Sequence, residues 1–311
     1  MEIKKIIKSQ GTRHAIMRLG RFLPDRIMLA LQYRLLLHRW PRLKAPQRFN
    51  EWIQVYKMSY RNPDMLRCVD KYDVRQYVAD KIGHKHLTAL YQVVDNAHDI
   101  DFKSLPEKFV IKSTSGGNGD NVMIVRDRDA LDIPAVTEKI NGWLKKNYSD
   151  TSREWAYRSA ARHPRIIVEE YIDHLPEKGL DDYKFFCFNG KCKFFKVDFN
   201  RYTNHQANYY TPDGQLLNVI EGNFTNDPAH SIAPSAEISE MVILAEKLSA
   251  DFPFVRVDLY NNDNRIIFGE MTFYPASGYT RFIPDDFDYE AGKYFPGLND
   301  AIWTKYSDAG K

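Results

Sequence analysis

The chain has 311 residues, of which 43% are hydrophobic and 27% charged, and its formal net charge is +3. This composition supports a packed core and excludes wholesale disorder, and no apolar run approaches the ~20 residues that span a bilayer. Three cysteines are too few for a secreted disulfide framework, and the N-terminus lacks the apolar stretch and cleavage site of a signal peptide. We therefore expect a cytoplasmic protein.

Residues 1–65 predict a basic helical segment. Residues 1–48 hold twelve Lys and Arg and two acids, a net charge of +10, whereas the rest of the chain holds 32 bases and 39 acids, a net charge of −7. Apolar residues recur at a helical spacing at Met28, Leu31, Leu35 and Leu36. Either the segment associates peripherally with an anionic membrane face or an acidic glycan, or its apolar stripe packs on the body of the protein. Nucleic acid is not an expected partner, because no groove-reading or base-stacking signature accompanies the charge.

The next hundred residues predict a first block of helices and strands. In chain order its elements are a helix over 62–83 closed by Gly83, a strand over 87–94, a strand, glycine loop and strand over 108–125, a helix over 132–147, and a buried strand over 164–172 that ends in a hinge.

A second block follows residue 172. Its elements are a hairpin over 182–199 turning at Asn-Gly, a long loop over 200–234, a helix over 235–252 with Ser235 as its N-cap, and a second hairpin over 255–278. The two blocks predict an α+β protein with mainly antiparallel sheets.

The first candidate for chemistry is Lys112, which stands at a strand end before a glycine loop. Gly116, Gly117 and Gly119 follow it, and glycines let the backbone N–H groups approach a phosphate while the lysine supplies a charge. An ordinary loop remains the alternative. A P-loop is excluded because no Gly-Lys-Ser/Thr follows, and a protein kinase is excluded because its glycine loop precedes the lysine.

The second candidate is the hairpin that carries Arg256, Asp258 and Glu270. Strand alternation puts Arg256 and Asp258 on one face, and it puts Glu270 with Phe268 and Thr272 on the return strand. Two facing carboxylates repel unless a cation lies between them, so this pair suits Mg²⁺ with nucleotide phosphates. Arg256 is placed to clamp a phosphate. The alternative is an exposed strand face with a surface salt bridge.

The third candidate is the hinge between the blocks. Glu169 and Glu170 end an apolar strand, and Asp182 and Lys184 share one face of the next strand. A hinge of this kind offers backbone groups to an adenine edge, and Lys184 is placed to reach phosphates.

The order of these pieces resembles the ATP-grasp superfamily. More narrowly, the TupA-like ATP-grasp family of bacterial capsule and teichuronopeptide biosynthesis is similar over roughly residues 20–290, in the motifs DKYDVRQYV, REWAY, RIIVEEYI, DYKFFCFNGK, FPFVRVDLY and FGEMTFYP. The resemblance implies two α+β subdomains, 66–172 and 173–300, that close on ATP. It also implies ATP- and Mg²⁺-dependent carboxylate–amine ligation through an acyl phosphate.

The resemblance assigns roles to individual residues. Lys71 and Lys112 correspond to the nucleotide-binding lysines, Gly116, Gly117 and Gly119 to the phosphate loop, Glu169, Glu170 and Ile172 to the adenine hinge with Asp182 and Lys184 beyond it, Asp258 and Glu270 to the metal carboxylates, and Arg256 to the arginine at the transferred phosphoryl group. Many ATP-grasp enzymes have Asn where this chain has Thr272. A hydroxyl is a weaker metal ligand, which leaves the number of Mg²⁺ ions open.

The substrates are expected to be an acidic saccharide and a small amine. The segments 147–165 and 199–210 mix Arg, His, Asn and Tyr, a composition suited to an anionic sugar, and Arg201 is the residue we expect to contact its carboxylate or phosphate. The family resemblance points to a uronic-acid-containing surface polysaccharide or its precursor. A nucleotide-dependent sugar or phosphoryl transferase and a non-catalytic glycan-binding protein remain alternatives.

Overall fold

The computed structural model describes residues 22–116, 121–145, 152–172, 180–201, 203–222, 224–262 and 265–306. Two large antiparallel sheets organise these residues, and the short strands Ile220–Glu221 and Phe282–Ile283 form a third sheet of two strands. The strands are β1 (Leu90–Val94), β2 (Phe109–Ser113), β3 (Val122–Val125), β4 (Ile166–Glu170), β5 (Asp182–Phe188), β6 (Lys191–Phe199), β7 (Gln206–Tyr210), β8 (Leu216–Leu217), β9 (Ile220–Glu221), β10 (Phe254–Asn262), β11 (Arg265–Thr272) and β12 (Phe282–Ile283). The α-helices are α1 (Asp25–Leu37), α2 (Phe49–Ser59), α3 (Asp64–Val69), α4 (Val74–Ile82), α5 (Ile133–Leu144), α6 (Trp155–Ala160), α7 (Ser235–Ser249), α8 (Asp286–Gly292) and α9 (Ala301–Thr304). The described strand pairs are antiparallel, so the expected α+β class is confirmed.

The smaller sheet has the strand order β1-β4-β2-β3. Apolar side chains of its two central strands are buried, among them Ile111 and Val168, and Ile140 and Trp143 of α5 pack on them. This separate hydrophobic core lies wholly between residues 97 and 168. It supports the strand that carries Lys112.

The larger sheet has the strand order β11-β10-β5-β6-β7-β8. The helix α7 covers one face of this sheet with its buried apolar stripe, to which Ile238, Met241 and Leu248 belong. Ser235 is the first residue of α7 rather than its N-cap. Pro234 holds the N-cap position, without a capping side chain.

The opposite face of the larger sheet is divided into an aromatic half and a polar half. The helix α2 covers the aromatic half, where the ring of Phe49 lies 5.3 Å from that of Phe254 and 6.1 Å from that of Phe186, centroid to centroid. These are edge-on arrangements that aromatic rings favour. The segment predicted as N-terminal thus contributes α2 to the largest hydrophobic core. The candidate site lies on the polar half.

The single helix predicted over 62–83 is two helices, α3 and α4. Between them the Asp70 side chain accepts hydrogen bonds from the backbone N–H groups of Tyr72 and Asp73, both at 2.9 Å. Such a local carboxylate bond stabilises a turn at the expense of a continuing helix. Lys71 lies in this turn, and its backbone N–H donates to the carbonyl of Thr114 at 3.0 Å.

The long loop predicted over 200–234 contains the strands β7, β8 and β9. The strand β7 was not predicted, because a buried polar residue interrupts its hydropathy pattern. Asn208 is fully buried, and its side-chain amide donates to the Tyr210 hydroxyl at 3.0 Å and to the Asp227 carbonyl at 2.6 Å. Because the amide is satisfied locally, the strand tolerates it.

Candidate active site

A row of four charged side chains crosses the larger sheet. Lys196 on β6 pairs with Lys184 on β5, Lys184 pairs with Asp258 on β10, and Asp258 pairs with Glu270 on β11. Only Glu270 is substantially accessible, with 44% of its side chain exposed. The next row along the same strands consists of Asp198, Asp182 and Tyr260. The register therefore joins charged residues that the sequence places on two separate hairpins.

A β-bulge at Gly269 shapes one end of this row. Asp258 pairs with Glu270 but Leu259 pairs with Phe268, so Gly269 has no partner across the strands. The prediction that Phe268 shares a face with Glu270 is wrong, because the extra residue turns Phe268 into the core beside Leu259. A Cβ atom on Gly269 would lie 3.0 Å from the Asp258 carbonyl oxygen, closer than side chains normally approach.

A second bulge lies in the hairpin of β5 and β6. Cys187 pairs with Cys192 and Phe186 with Phe194, which leaves Lys193 unpaired. Without this extra residue, the two-residue turn would put Phe195 opposite Lys184. The bulge instead places Lys196 there, so both ends of the charged row depend on a bulge.

Arg256 lies between the two predicted metal carboxylates. Its Nε and Nη2 atoms each donate to a different oxygen of Asp258 at 2.7 Å, and Nη2 also donates to Glu270 Oε1 at 2.9 Å. Burial alone raises the pKa of Asp258, but Arg256 and Lys184 lower it, and the net shift is downward. Asp258 is therefore ionised, and a protein cation offsets the carboxylate repulsion expected from the sequence.

Lys184 is surrounded by carboxylates. Its ammonium group donates to Asp258 Oδ2 at 2.9 Å and to Asp182 Oδ2, and lies 3.6 Å from Asp198 Oδ2. Burial raises the pKa of Asp182. The other oxygen of Asp182, Oδ1, is buried and accepts no hydrogen bond from the described residues. An unsatisfied buried acceptor is costly, so this atom is available to a donor on a ligand.

The chemistry of the donor set fits Mg²⁺ bound together with nucleotide phosphates. Within the described ranges, no three His, Cys, Asp or Glu side chains are grouped to hold a metal ion by themselves. Asp258 and Glu270 supply two carboxylates, the number that Mg²⁺ commonly takes when phosphates and water complete its shell. The Thr272 hydroxyl donates to Glu270 Oε1 at 3.0 Å. It thus orients this carboxylate, and the number of ions stays open.

The predicted nucleotide-binding lysines lie outside the larger sheet, Lys112 on β2 of the smaller sheet and Lys71 in the turn between α3 and α4. Burial lowers the pKa of Lys71, while nearby Glu270 raises it and nearby Lys112 lowers it further. Lys71 is thus within electrostatic reach of both Glu270 on β11 and Lys112 on β2. Its Nζ atom donates to the Gly116 carbonyl at 2.8 Å, at the start of the glycine loop. The rest of that loop, including Gly117 and Gly119, lies outside the described residues.

The two hinge glutamates have different partners. Glu169 accepts hydrogen bonds from Lys112 and from the Thr88 hydroxyl, the latter at 3.0 Å. Glu170 accepts two hydrogen bonds from Arg265, at 2.6 and 3.0 Å, and these lower its pKa. Because Arg265 belongs to β11, Glu170 ties the two sheets together. Ile172 is half-buried at the last described position before residue 180.

The predicted substrate residue Arg201 reaches the same site. Its Nη2 atom lies 3.3 Å from Asp182 Oδ2, and 43% of its side chain is exposed. The residues of the neighbouring network were not predicted from the sequence: Lys196 donates to Glu221 at 2.7 Å and lies 3.2 Å from Asp198. The Asn-Gly turn indicated that β5 and β6 pair, but the bulge at Lys193 changes which residues face each other, so the position of Lys196 beside Lys184 could not be predicted.

A buried lysine that the sequence did not reveal lies on α2. Lys57 on α2 is inaccessible to solvent, and its ammonium donates to the Ser277 hydroxyl at 2.6 Å and carbonyl at 2.8 Å. Glu154 accepts from the same hydroxyl at 2.6 Å and lies 3.6 Å from Lys57. Burial and then the Glu270 and Glu154 charges raise the pKa of Tyr157.

The protonation of Lys57 gives a prediction for stability. Burial lowers its pKa from 10.5 to about 8, so above this pH the folded chain releases a proton that the unfolded chain keeps. We expect the free energy of unfolding of the wild type, relative to Lys57→Met, to rise by about 2–3 kcal/mol between about pH 8 and 10. Urea denaturation of both proteins measures this difference. Parallel pH profiles would contradict the assignment.

The chain is similar to one protein family and to several solved structures. The family model described as TupA-like ATPgrasp matches residues 51–296, whereas no curated protein matches the chain in sequence. The D-alanine–D-alanine ligase from Bacillus anthracis complexed with ATP is 15% identical, with a TM-score of 0.39 over 67% of this chain and 54% of that chain. The chain therefore spans about half the length of that ligase.

Two further solved structures are similar at the same level. A second structure of the Bacillus anthracis D-alanine–D-alanine ligase is 17% identical, with a TM-score of 0.43 over 77% of this chain and 67% of that chain. The D-alanine–D-alanine ligase from Helicobacter pylori is 12% identical, with a TM-score of 0.43 over 80% and 67%. The family model covers most of the chain, including both sheets and the charged row, and the resemblance seen in the sequence is confirmed: the chain belongs to the TupA-like ATPgrasp family.

Proposed function

We propose that the chain is an ATP- and Mg²⁺-dependent carboxylate–amine ligase that acts through an acyl phosphate. The observation that carries the proposal is the meeting of two sets of residues between the sheets. Lys71 donates to the Gly116 carbonyl at the start of the glycine loop and is within electrostatic reach of Lys112 and Glu270. The Arg265–Glu170 ion pair joins the strand of Glu270 to the smaller sheet. The three cysteines are buried and lie outside this group. A mechanism that needs no protein nucleophile suits this arrangement.

In this mechanism the side chains of the protein bind and orient the substrates and stabilise the charge of the transferred phosphoryl group. Lys71 and Lys112 hold the phosphates of ATP, and Lys184 and Arg256 stabilise the charge of the phosphoryl group in transfer. A carboxylate oxygen of the substrate attacks the γ-phosphorus, the bond to the bridging oxygen breaks, and ADP leaves. The amine then attacks the acyl carbon and phosphate departs. Mg²⁺ held by Asp258 and Glu270 would neutralise phosphate charge.

The acid substrate we propose is a uronic-acid-containing surface polysaccharide or its precursor, and the amine is an amino acid or another small amine. The half-exposed Arg201 supports an anionic substrate, because its guanidinium lies at the rim of the row. An Arg guanidinium binds a carboxylate with two parallel hydrogen bonds. Since ATP is the co-substrate, we place the reaction in the cytoplasm.

The test is a matrix of acids and amines. Uronic-acid saccharides of different sizes are combined with amino acids and other amines, and ADP release and product mass are measured. We expect ADP release that requires both partners and a mass gain equal to the amine less water. Transfer of a phosphoryl or sugar unit without an amine would instead identify a transferase. Binding of saccharide without ATP turnover would identify a glycan-binding protein.

Lys112→Met tests the nucleotide site independently of the acid and amine. Because Glu169 keeps the Thr88 hydroxyl as a partner, we expect the fold to persist. Loss of a charge-assisted contact to phosphate is expected to weaken Mg·ATP binding by about 10- to 100-fold. Calorimetry measures the affinity, with the exposed Lys103→Met as a control that binds as the wild type does. No measurable affinity in the folded wild type would refute the nucleotide site.

A further inference from the structure

The helix α1 presents apolar side chains on two sides. One side packs on the body of the protein through Met28, Leu29, Tyr33 and Leu37, which are buried. The other side exposes Ile27, Leu31 and Leu35, at 49%, 38% and 47% of their surface. These three residues follow a spacing of four and therefore form one stripe along the helix. Of the apolar residues that the sequence places at a helical spacing, Met28 is thus packed on the body, whereas Leu31 and Leu35 are exposed.

The exposed stripe continues beyond both ends of the helix. Phe22 and Leu23 precede it, exposed by 81% and 38%, and Trp40 follows it, exposed by 61%. We call these three residues, with Ile27, Leu31 and Leu35, the outer face. Isolated exposed apolar residues are ordinary on protein surfaces, but a continuous rimmed group of this kind marks an interaction site.

A groove opens on the outer face. It has a volume of about 620 Å³ and runs between α1 and residues 40–45. Ile27, Leu31 and Trp40 supply apolar walls, and Arg26, Arg42 and Lys44 supply basic ones. Apolar side chains beside cations match an amphiphile with an anionic head.

Most of the bases around the outer face have no acidic partner among the described residues, although Arg39 and Arg48 pair with Asp285. Arg26, Arg34 and Lys44 are exposed and form no ion pair with the described residues. Asp25 is the acid between residues 22 and 48, and the Arg153 guanidinium lies 3.4 Å from its carboxylate. Residues 1–21, which lead into Phe22, hold six further bases and one acid.

We propose that the outer face docks on the surface of an anionic phospholipid bilayer. The charge complementarity favours this occupant over a second copy of the chain, because two such basic faces would repel each other. The exposed apolar side chains of α1 and Trp40 favour it over an acidic glycan, which would leave them in water. In the part of the chain that the structure describes, no helix has the length and apolarity to cross a membrane. The contact is peripheral, with apolar residues at the headgroup boundary.

Vesicle sedimentation of the full chain tests this surface. We expect pelleting with vesicles that contain phosphatidylserine at low salt, little pelleting with phosphatidylcholine alone, and release at high salt. The triple variant I27S/L31S/L35S is expected to bind phosphatidylserine vesicles at least about tenfold more weakly. Its control is Ile243→Ser, which removes an isoleucine exposed by 53% on α7.

The charges and Trp40 provide two further readouts. Arg26→Glu with Arg34→Glu is expected to weaken binding by about tenfold or more, whereas Lys85→Glu with Lys103→Glu leaves it unchanged. The vesicle-induced shift in tryptophan emission should be lost in Trp40→Phe. Absence of pelleting by the wild type would overturn the proposal. So would full binding by I27S/L31S/L35S, because the contact would then be one of charge alone, as with an acidic glycan.

Discussion

Replacing Asp258 with Asn is expected to abolish ADP release and to lower the free energy of unfolding by about 3 kcal/mol. The carboxylate is fully buried and accepts hydrogen bonds from Arg256 and Lys184. An amide in its place would leave two buried cations with too little negative charge. Relief of the carboxylate repulsion that the sequence predicts between Asp258 and Glu270 would by itself give the opposite sign, a gain in stability. Arg256 between the two carboxylates removes that repulsion.

Glu270→Gln separates the two effects. Its side chain is 44% exposed, so we expect an equal loss of turnover but a change in unfolding free energy below about 1 kcal/mol. Mg²⁺-dependent ATP affinity, measured by calorimetry, should fall in both variants. If either variant turns over at the wild-type rate, these carboxylates are not the metal ligands. If Asp258→Asn is as stable as the wild type, its ion pairs do not contribute as argued.

Gly278→Ala is expected to be among the most destabilising single substitutions, at about 3 kcal/mol. Gly278 has φ +69°, and a Cβ atom there would lie 2.4 Å from Gln54 Nε2 and 2.7 Å from Ile53 Cγ2. Gln54 Nε2 cannot retreat without losing its hydrogen bonds to the carbonyls of Ser277 and Gly278, both at 3.0 Å. The variant thus combines a left-handed backbone with overpacking.

Gly222→Ala isolates the backbone part of this cost. Gly222 has φ +59°, and a Cβ atom there would meet nothing within 4 Å. We expect it to lose only about 1 kcal/mol. Urea denaturation of both variants gives the comparison. Equal destabilisation would show that the packing of Gly278 against α2 contributes nothing.

Much of the site could be predicted from residue order, but its geometry could not. The Asn-Gly turn and the Arg256-x-Asp258 alternation correctly placed two hairpins, and Asp258 does lie opposite Glu270. The two bulges break the alternation of faces. A glycine inside a strand such as Gly269 is a weak signal for a bulge, but nothing in the local pattern marks Lys193 as unpaired. Register of this kind is decided by packing on both faces of the sheet.

Lys57 marks a second limit of the sequence. It lies on a helix whose hydropathy pattern predicts a solvated lysine, yet its ammonium is buried against the Ser277 backbone. Ala276, Ser277 and Gly278 all have positive φ, at 46°, 55° and 69°. This run of left-handed residues aims the Ser277 carbonyl at Lys57, and consecutive left-handed residues are not predictable from Pro-Ala-Ser-Gly. Long-range contacts, 220 residues apart in the chain, determine them.

The two unpaired residues also determine how relatives of this chain should be aligned. Side chains of a strand alternate between the two faces of the sheet. Gly269 and Lys193 each shift this alternation by one residue between the hairpin tip and the charged row. In a relative that lacks one of these residues, the hydrophobic residues would still seem aligned. The side chains of either the hairpin tip or the charged row would, however, point to the opposite face of the sheet. A one-residue gap at these positions therefore signifies inverted side chains. A gap on the tip side of the bulge does not change the face on which the charged row lies.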